Sequence, residues 1–320
     1  MKKIYVGCLA HRHTGGLTLA HQLCYELRSQ GFDAAMYYYY GWRQEKTNPV
    51  NENYKKYNLP FVTKIEDNKD NIVVAPETFV NLLRGVKMAK KVIWWMSVDN
   101  YFKTLKSPRD RIINWFGLRP FNIRRKDIIH LAQSYYAIDF LKKQGIQEES
   151  IYYLSDYLDE TFLLDSEKYA NAKKENVVLY NPRKGKEFTA KLMEVGTDIT
   201  WCPLQNMTPT EVKEKLGTSK VYIDFGEHPG KDRIPREAAV MGCCVITGKR
   251  GSAYFYEDVS IPDDYKFNDT ESSIPMILKQ ISECFADYER KRKDFCEYVA
   301  KIKSERVKFT SDVAKVFNAI

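Results

Sequence analysis

Residues 226–246 read Gly226-Glu227-His228-Pro229-Gly230-Lys231-Asp232-Arg233-Ile234-Pro235-Arg236-Glu237-Ala238-Ala239-Val240-Met241-Gly242-Cys243-Cys244-Val245-Ile246. The apolar run Val221 to Phe225 precedes this stretch and reads as a buried strand. It breaks into a polar, glycine-containing loop. Pro235 has its φ fixed near the helical value and no N–H to leave unpaired, so it opens a helix over Arg236–Met241. Gly242 ends that helix, and Cys243–Thr247 reads as the next strand. Strand, loop, helix and strand in this order form a crossover unit of a parallel sheet.

The same alternation runs through the chain. In the first half, Ile4–Ala10, Ala34–Tyr40, Ile72–Ala75, Val92–Met96, Ile128–Ala132 and Ile151–Leu154 read as strands. Leu17, Ala20, Leu23, Cys24 and Leu27 recur at helical spacing between the first two, and short helices are expected at Glu77–Arg84 and Tyr135–Lys143. In the second half the strands are Asn176–Tyr180, Ile199–Cys202, Val221–Phe225 and Cys243–Thr247, with a charged helical C-terminus from about Glu271. The pattern restarts between Tyr157 and Lys174, which divides the chain into residues 1–157 and 158–320. The expected class is α/β, two doubly wound domains facing a cleft at the carboxyl ends of their strands, where such sheets bind ligands.

Composition narrows the function classes. The chain has 320 residues, 44% of them hydrophobic and 13% aromatic, enough for packed cores and against a disordered chain. No apolar run approaches the roughly 20 residues that span a bilayer. Met1-Lys2-Lys3 followed by Ile4–Ala10 has the charge order of a signal peptide, but it runs into His11-Arg12-His13 and reads as a first strand. Seven cysteines without a Cys-x-x-Cys pair suggest neither a disulfide framework nor a zinc site, and a reducing cytoplasm is the expected setting. The formal charge is +8. All of the excess lies before residue 158, which suits an anionic partner or a solubilising surface.

Four stretches hold the groups that could do chemistry. His11-Arg12-His13-Thr14-Gly15-Gly16 lies between the first strand and the first helix. Paired glycines let backbone approach a ligand, and His11 or His13 could move a proton near neutral pH. A plain tight turn is the alternative. Tyr180-Asn181-Pro182-Arg183-Lys184-Gly185-Lys186 places three cations at a strand end, where phosphates accept charge-assisted hydrogen bonds. In the Gly226–Ala239 stretch, Lys231, Arg233 and the free amides near Ile234 form an anion trap. Glu237, one turn into the helix, could accept from sugar hydroxyls or simply favour the helix dipole. The segment Arg111–Lys126 interleaves bulky apolar residues with cations, as a membrane-surface element or a basic-edged packed helix would. No Asp-x-Asp, Gly-x-Ser-x-Gly or His-Glu-x-x-His occurs, so no metal site is expected. The phosphate-directed turns account for the cations better than a nucleic-acid partner does.

Together these turns resemble the GT-B glycosyltransferases, and most closely the retaining, metal-independent group that makes bacterial polysaccharides and glycolipids. Pro235–Ile246 resembles the family block Pro-x-Glu-Ala-Met-Ala-x-Gly-x-Pro-Val-Ile. Ser134–Ile146 resembles the last unit of the N-terminal domain, and Tyr153–Phe162 the interdomain stretch. The resemblance implies two Rossmann-like domains, an acceptor-binding one at 1–157 and a nucleotide-sugar-binding one at 158–320. It implies that Arg183 and Lys186, with Lys184 between them, hold the donor diphosphate. It implies that Gly230, Lys231, Asp232, Arg233 and Ile234 supply amides and charge to that diphosphate, and that Glu237 holds the ribose. The first Glu of the family's Glu-x7-Glu pattern falls on Pro229, a departure that leaves Glu227 and Asp232 as the nearest acids. The implied reaction moves a sugar from a nucleotide-diphosphate-sugar to a hydroxyl of a saccharide or lipid-linked acceptor near His11, His13, Gly15 and Gly16. If the enzyme inverts configuration, His13 or His11 is the base. Implied too are a metal-free site and a place in the cytoplasm or at the inner membrane face, reached through Arg111–Lys126. A nucleotide-sugar 2-epimerase and a non-catalytic binding protein of the same fold are the alternatives.

Overall fold

The structure is a computed structural model that describes residues 2–40, 43–44, 49–105, 121–169 and 172–320. The stretch Arg111–Pro120 of the basic aromatic segment therefore lies outside the described residues. The chain forms two units, Met1–Asp156 with Val307–Ile320, and Tyr157–Arg306.

The first unit holds strands β1 (Lys3–Leu9), β2 (Asp33–Tyr40), β3 (Arg43–Gln44), β4 (Phe61–Val62), β5 (Ile72–Pro76), β6 (Lys90–Trp95), β7 (Ile128–Ala132) and β8 (Ile151–Tyr153). They run in the order β3-β2-β1-β5-β6-β7-β8, with β4 also paired to β2. Among the described residues every pairing is parallel except β2 with β3. The inner strands are near-continuous apolar runs because helices cover both faces of a parallel sheet. Its helices are α1 (Gly15–Ser29), α2 (Val98–Leu105) and α3 (Tyr135–Lys143). The helix expected over Glu77–Arg84 is instead a run of 3₁₀ turns, Glu77–Gly85, broken at Phe79 where φ is −141°. There the Phe79 ring stacks on Tyr39 at 4.1 Å, a contact that outweighs helical periodicity.

The second unit holds β9 (Glu175–Tyr180), β10 (Thr200–Pro203), β11 (Ser219–Asp224), β12 (Cys244–Gly248) and β13 (Lys266–Phe267), in the order β10-β9-β11-β12-β13 and all parallel. Its helices are α4 (Glu160–Lys168), α5 (Lys186–Val195), α6 (Pro209–Thr218), α7 (Arg233–Val240), α8 (Ile274–Ala286), α9 (Tyr288–Lys291) and the first part of the long α10 (Cys296–Ala319). The core is built from β11 and β12, where Val221, Tyr222, Cys244, Val245 and Ile246 have no exposed surface, closed by α7 and α8. No described helix is long and apolar enough to cross a membrane.

The division at 157/158 needs a correction at the C-terminus. Residues 307–320, read as part of the second domain, belong to the first unit. Phe309, Val313, Val316 and Phe317 form a helical stripe with at most 3% exposure, and the Phe317 ring meets Phe32 edge-on at 6.4 Å. The Thr310 carbonyl also accepts from Gln30 Nε2 at 2.8 Å. Truncating Phe317 to Ala should lower stability by about 3–5 kcal/mol, measured by chemical denaturation. A cost below about 1 kcal/mol would contradict this packing.

Candidate active site

In the second unit two turns leave neighbouring strands at their carboxyl ends, one after β9 and one after β11. The first turn, Asn181–Gly185, closes through Asn181 Oδ1, which accepts from the Arg183 amide at 3.0 Å. Gly185 then caps α5 with φ +56°. A Cβ there would lie 2.5 Å from the Phe225 carbonyl oxygen, so the close approach and the left-handed turn both require glycine. No side chain caps α5, which leaves its first amides open beside the exposed Arg183 and Lys186. A cavity of about 460 Å³ opens here, lined by Lys186, Lys191, Phe225, Glu227, Arg250 and Asp269 among others.

The second turn, Phe225–Asp232, leads into α7, which begins at Arg233 and also lacks a side-chain cap. Glu237 lies one turn in, 7% exposed, and its Oε1 is 3.7 Å from Arg233 Nε. Burial pushes the Glu237 carboxyl above its usual range, against the opposing pull of Arg233 and Arg236. Two braces hold this loop. Ser252, in the turn after β12, donates its amide to the His228 carbonyl at 2.9 Å and its hydroxyl to the Gly230 carbonyl at 2.7 Å. From α10, Glu305 forms an ion pair with Lys231, Oε1 to Nζ 2.6 Å, and its Oε2 accepts from Arg236 Nη1 at 2.8 Å, with all three side chains buried.

An ion pair joins the two turns. Lys184 Nζ donates to Asp232 Oδ2 at 2.5 Å and lies 3.9 Å from Asp224 Oδ2. Although burial opposes charge on Asp232, His228 and Lys184 draw its pKa down to about 2. Polar atoms of Asp224, His228 and Asp232 lie within 4.8 Å of one another, and the Lys184 ammonium lies against both carboxylates.

In the first unit the turn after β1 is pinned by aromatic side chains. His11 adopts φ +62°, its carbonyl accepts from Asn51 Nδ2 at 3.1 Å, and its ring lies 6.2 Å from Tyr40. His13 is exposed and lies 5.4 Å from the Tyr54 ring. Tyr54 Oη donates to the Thr14 carbonyl at 3.1 Å and its ring stacks on His21 at 3.8 Å. Burial lowers the His21 pKa to about 4. The neutral ring then donates from Nδ1 to the Leu17 carbonyl at 2.6 Å and accepts from Tyr38 Oη at Nε2, 2.8 Å away. Gly15 and Gly16 form the first turn of α1, behind the Thr14 cap. A Cβ on Gly15 would meet nothing within 4 Å, so glycine there leaves backbone open without being required by packing.

No protein-family model and no curated protein matches this chain. Solved structures do. Sucrose-phosphate synthase from Thermosynechococcus elongatus matches over 100% of both chains, with TM-score 0.64 and 12% identity. Anabaena HepE in complex with UDP and glucose matches over the same share with TM-score 0.68 and 11% identity. WaaG, a glycosyltransferase involved in lipopolysaccharide biosynthesis, covers 98% of this chain and 99% of its own, with TM-score 0.56 and 11% identity.

The chain has the GT-B fold.

Within this GT-B chain the expected donor residues separate into two sets. Arg183, Lys186, Arg233, Ile234 and Glu237 lie at the two open helix starts. Lys184, Lys231 and Asp232, also expected to face the donor, are engaged in ion pairs within the protein. Lys184 and Asp232 neutralise each other, and Lys231 is 6% exposed with its ammonium on Glu305. The Gly230 carbonyl is held by Ser252. Of the acids nearest the Pro229 departure, Asp232 is taken up by this network, whereas Glu227 is exposed and 3.2 Å from Arg250. Sequence reasoning missed Glu305, Ser252 and Arg250, which reach the loop from distant parts of the chain. It also missed Glu77, a carboxyl at the end of β5 that burial pushes up to about 8 and whose Oε2 accepts from the Met96 amide at 3.1 Å. Glu305→Ala would leave Lys231 and Arg236 buried without that carboxylate. It should cost about 3 kcal/mol or more in denaturation experiments, and a neutral outcome would refute the brace.

Proposed function

We propose that the protein is a glycosyltransferase that moves a sugar from a nucleotide-diphosphate-sugar to a hydroxyl acceptor. The observation that carries this reading is the pairing of two uncapped helix starts on adjacent strands of the second unit, with Arg183, Lys186 and Arg233 beside them. Open amides, a positive dipole end and cations suit a diphosphate. The presence of UDP and UDP-glucose in HepE structures of the same fold supports a nucleotide-sugar donor.

In this reading the bond from the anomeric carbon to the β-phosphate oxygen breaks as the acceptor oxygen bonds that carbon. Charge builds on the departing diphosphate, where Arg183, Lys186, Arg233 and the amides of α5 and α7 stabilise it in place of a metal ion. Glu237 accepts from the ribose hydroxyls. The acceptor, a saccharide or lipid-linked sugar of a bacterial surface polymer, lies at the turn holding His11, His13, Gly15 and Gly16. With retention of configuration the diphosphate takes the acceptor proton; with inversion His13 or His11 takes it. The Arg111–Lys126 segment brings the enzyme to an anionic membrane face.

Thermal unfolding with UDP, GDP, CDP, ADP and dTDP tests this reading. One diphosphate should raise the melting temperature, and EDTA should not abolish the shift. Arg183→Ala and Glu237→Ala should each weaken that ligand about tenfold, or about 1.4 kcal/mol. No shift with any of the five would contradict the reading.

A further inference from the structure

His228 is fully buried, carries φ +45°, and sits between the two turns that present the cations. Both of its ring nitrogens face oxygen. Nδ1 is 3.0 Å from Asp232 Oδ2, and Nε2 is 3.2 Å from the Asp224 carbonyl oxygen and 3.4 Å from Asp224 Oδ1. A neutral imidazole has one N–H, so it would press a nitrogen lone pair against one of these oxygens, whereas the imidazolium sets a positive charge between the two carboxylates. The charged groups facing it are Asp224 from β11, Asp232 from the start of α7 and Lys184 from the turn after β9. Tyr222 Oη, also on β11, donates to Asp224 Oδ2 at 3.1 Å. The turn after β12 packs on its backbone, and a Cβ on Gly251 would come within 2.1 Å of the His228 carbonyl oxygen.

We propose that His228, in its doubly protonated form, is the positioning residue that holds the donor loop. Through Asp232 and Lys184 it registers the Arg183–Lys186 turn against the start of α7, so that donor affinity follows its protonation. The proposal rests on the donor site placed above in the second unit. His228 touches no donor atom in this account. Its positive charge closes the chain Asp224–His228–Asp232–Lys184, and that chain fixes where Arg183, Lys186 and Arg233 stand. Losing the proton leaves two carboxylates facing one ammonium and a strained φ without its support.

Burial opposes protonation of His228, but Asp224 and Asp232 outweigh it and raise its pKa above the usual histidine value. A raised folded-state pKa gives stabilisation that is complete below about pH 6.5, the unfolded value, and is lost as pH rises through the folded value. Donor affinity should have the same sign.

UDP-glucose is the probe, because its diphosphate ester keeps constant charge between about pH 6 and 9, where histidine titrates. By calorimetry the wild type should bind it about tenfold more weakly at the upper end of that range. By linkage, saturating UDP-glucose should raise the His228 midpoint, followed by imidazole NMR, by about one pH unit. His228→Gln should bind at the wild type's weak, high-pH level throughout and lose the pH dependence, while still unfolding cooperatively. Two results overturn the proposal: a His228→Gln profile matching the wild type's, and an NMR midpoint that UDP-glucose does not move. The NMR arm uses only wild-type protein and decides the matter if His228→Gln fails to fold. Wild-type protein that binds UDP-glucose without pH dependence refutes the role of His228 and leaves the donor site standing. Wild-type protein that binds no UDP-glucose at any pH removes both.

Discussion

The Lys184–Asp232 ion pair is the contact that joins the turns at the carboxyl edge of the second unit's sheet. In a parallel sheet the strand order places the carboxyl ends of β9 and β11 side by side, but sheet geometry alone does not say how the turns leaving them are set. A short ion pair between those turns does. It is half-buried, flanked by the buried Asp224 and His228, so its charge–charge attraction is less screened than at an open surface. Such a pair gains little net stability over an apolar substitute, because desolvation offsets the attraction. Its value is in geometry: it ties the turn that precedes α5 to the residue that precedes α7. Gly185 and Gly251 follow from it, since each lets backbone pass where a Cβ would strike the Phe225 or His228 carbonyl.

The first unit solves the same problem with uncharged groups. The turn after β1 is set by Tyr54, His21 and Tyr38 through a ring stack and hydrogen bonds, and burial keeps His21 neutral. Neutral aromatic groups bury more cheaply than ions, and they leave the exposed His11 and His13 as the groups at the tip of the turn. One unit thus places cations at its turns and the other places imidazoles.

Much of the fold was legible because parallel strands announce themselves as apolar runs. Ile128–Ala132 was read to the residue, and β1, β2, β5 and β6 to within two. Gly242 marked the end of α7, but its start was read at Pro235 whereas the helix begins at Arg233. The two-residue strands β3 and β4 were not visible, since so short a segment has no period, and the return of 307–320 to the first unit depends on contacts with Phe32 and Gln30 far away in sequence. The candidate site was legible as a location and not as an orientation. Arg183, Lys184 and Lys186 look alike in sequence, and so do Lys231 and Arg233. Only Asp232 and Glu305, from other parts of the chain, decide which cations turn inward.

The central claim is that the two uncapped helix starts of the second unit hold a nucleoside diphosphate. The most direct measurement is a crystal structure of the protein with UDP. The account predicts phosphate oxygens within hydrogen-bond reach of the amides that open α5 and α7 and of the side chains of Arg183 and Lys186, with the ribose on Glu237. A diphosphate seated elsewhere on the chain, with these amides still open to water, would contradict it.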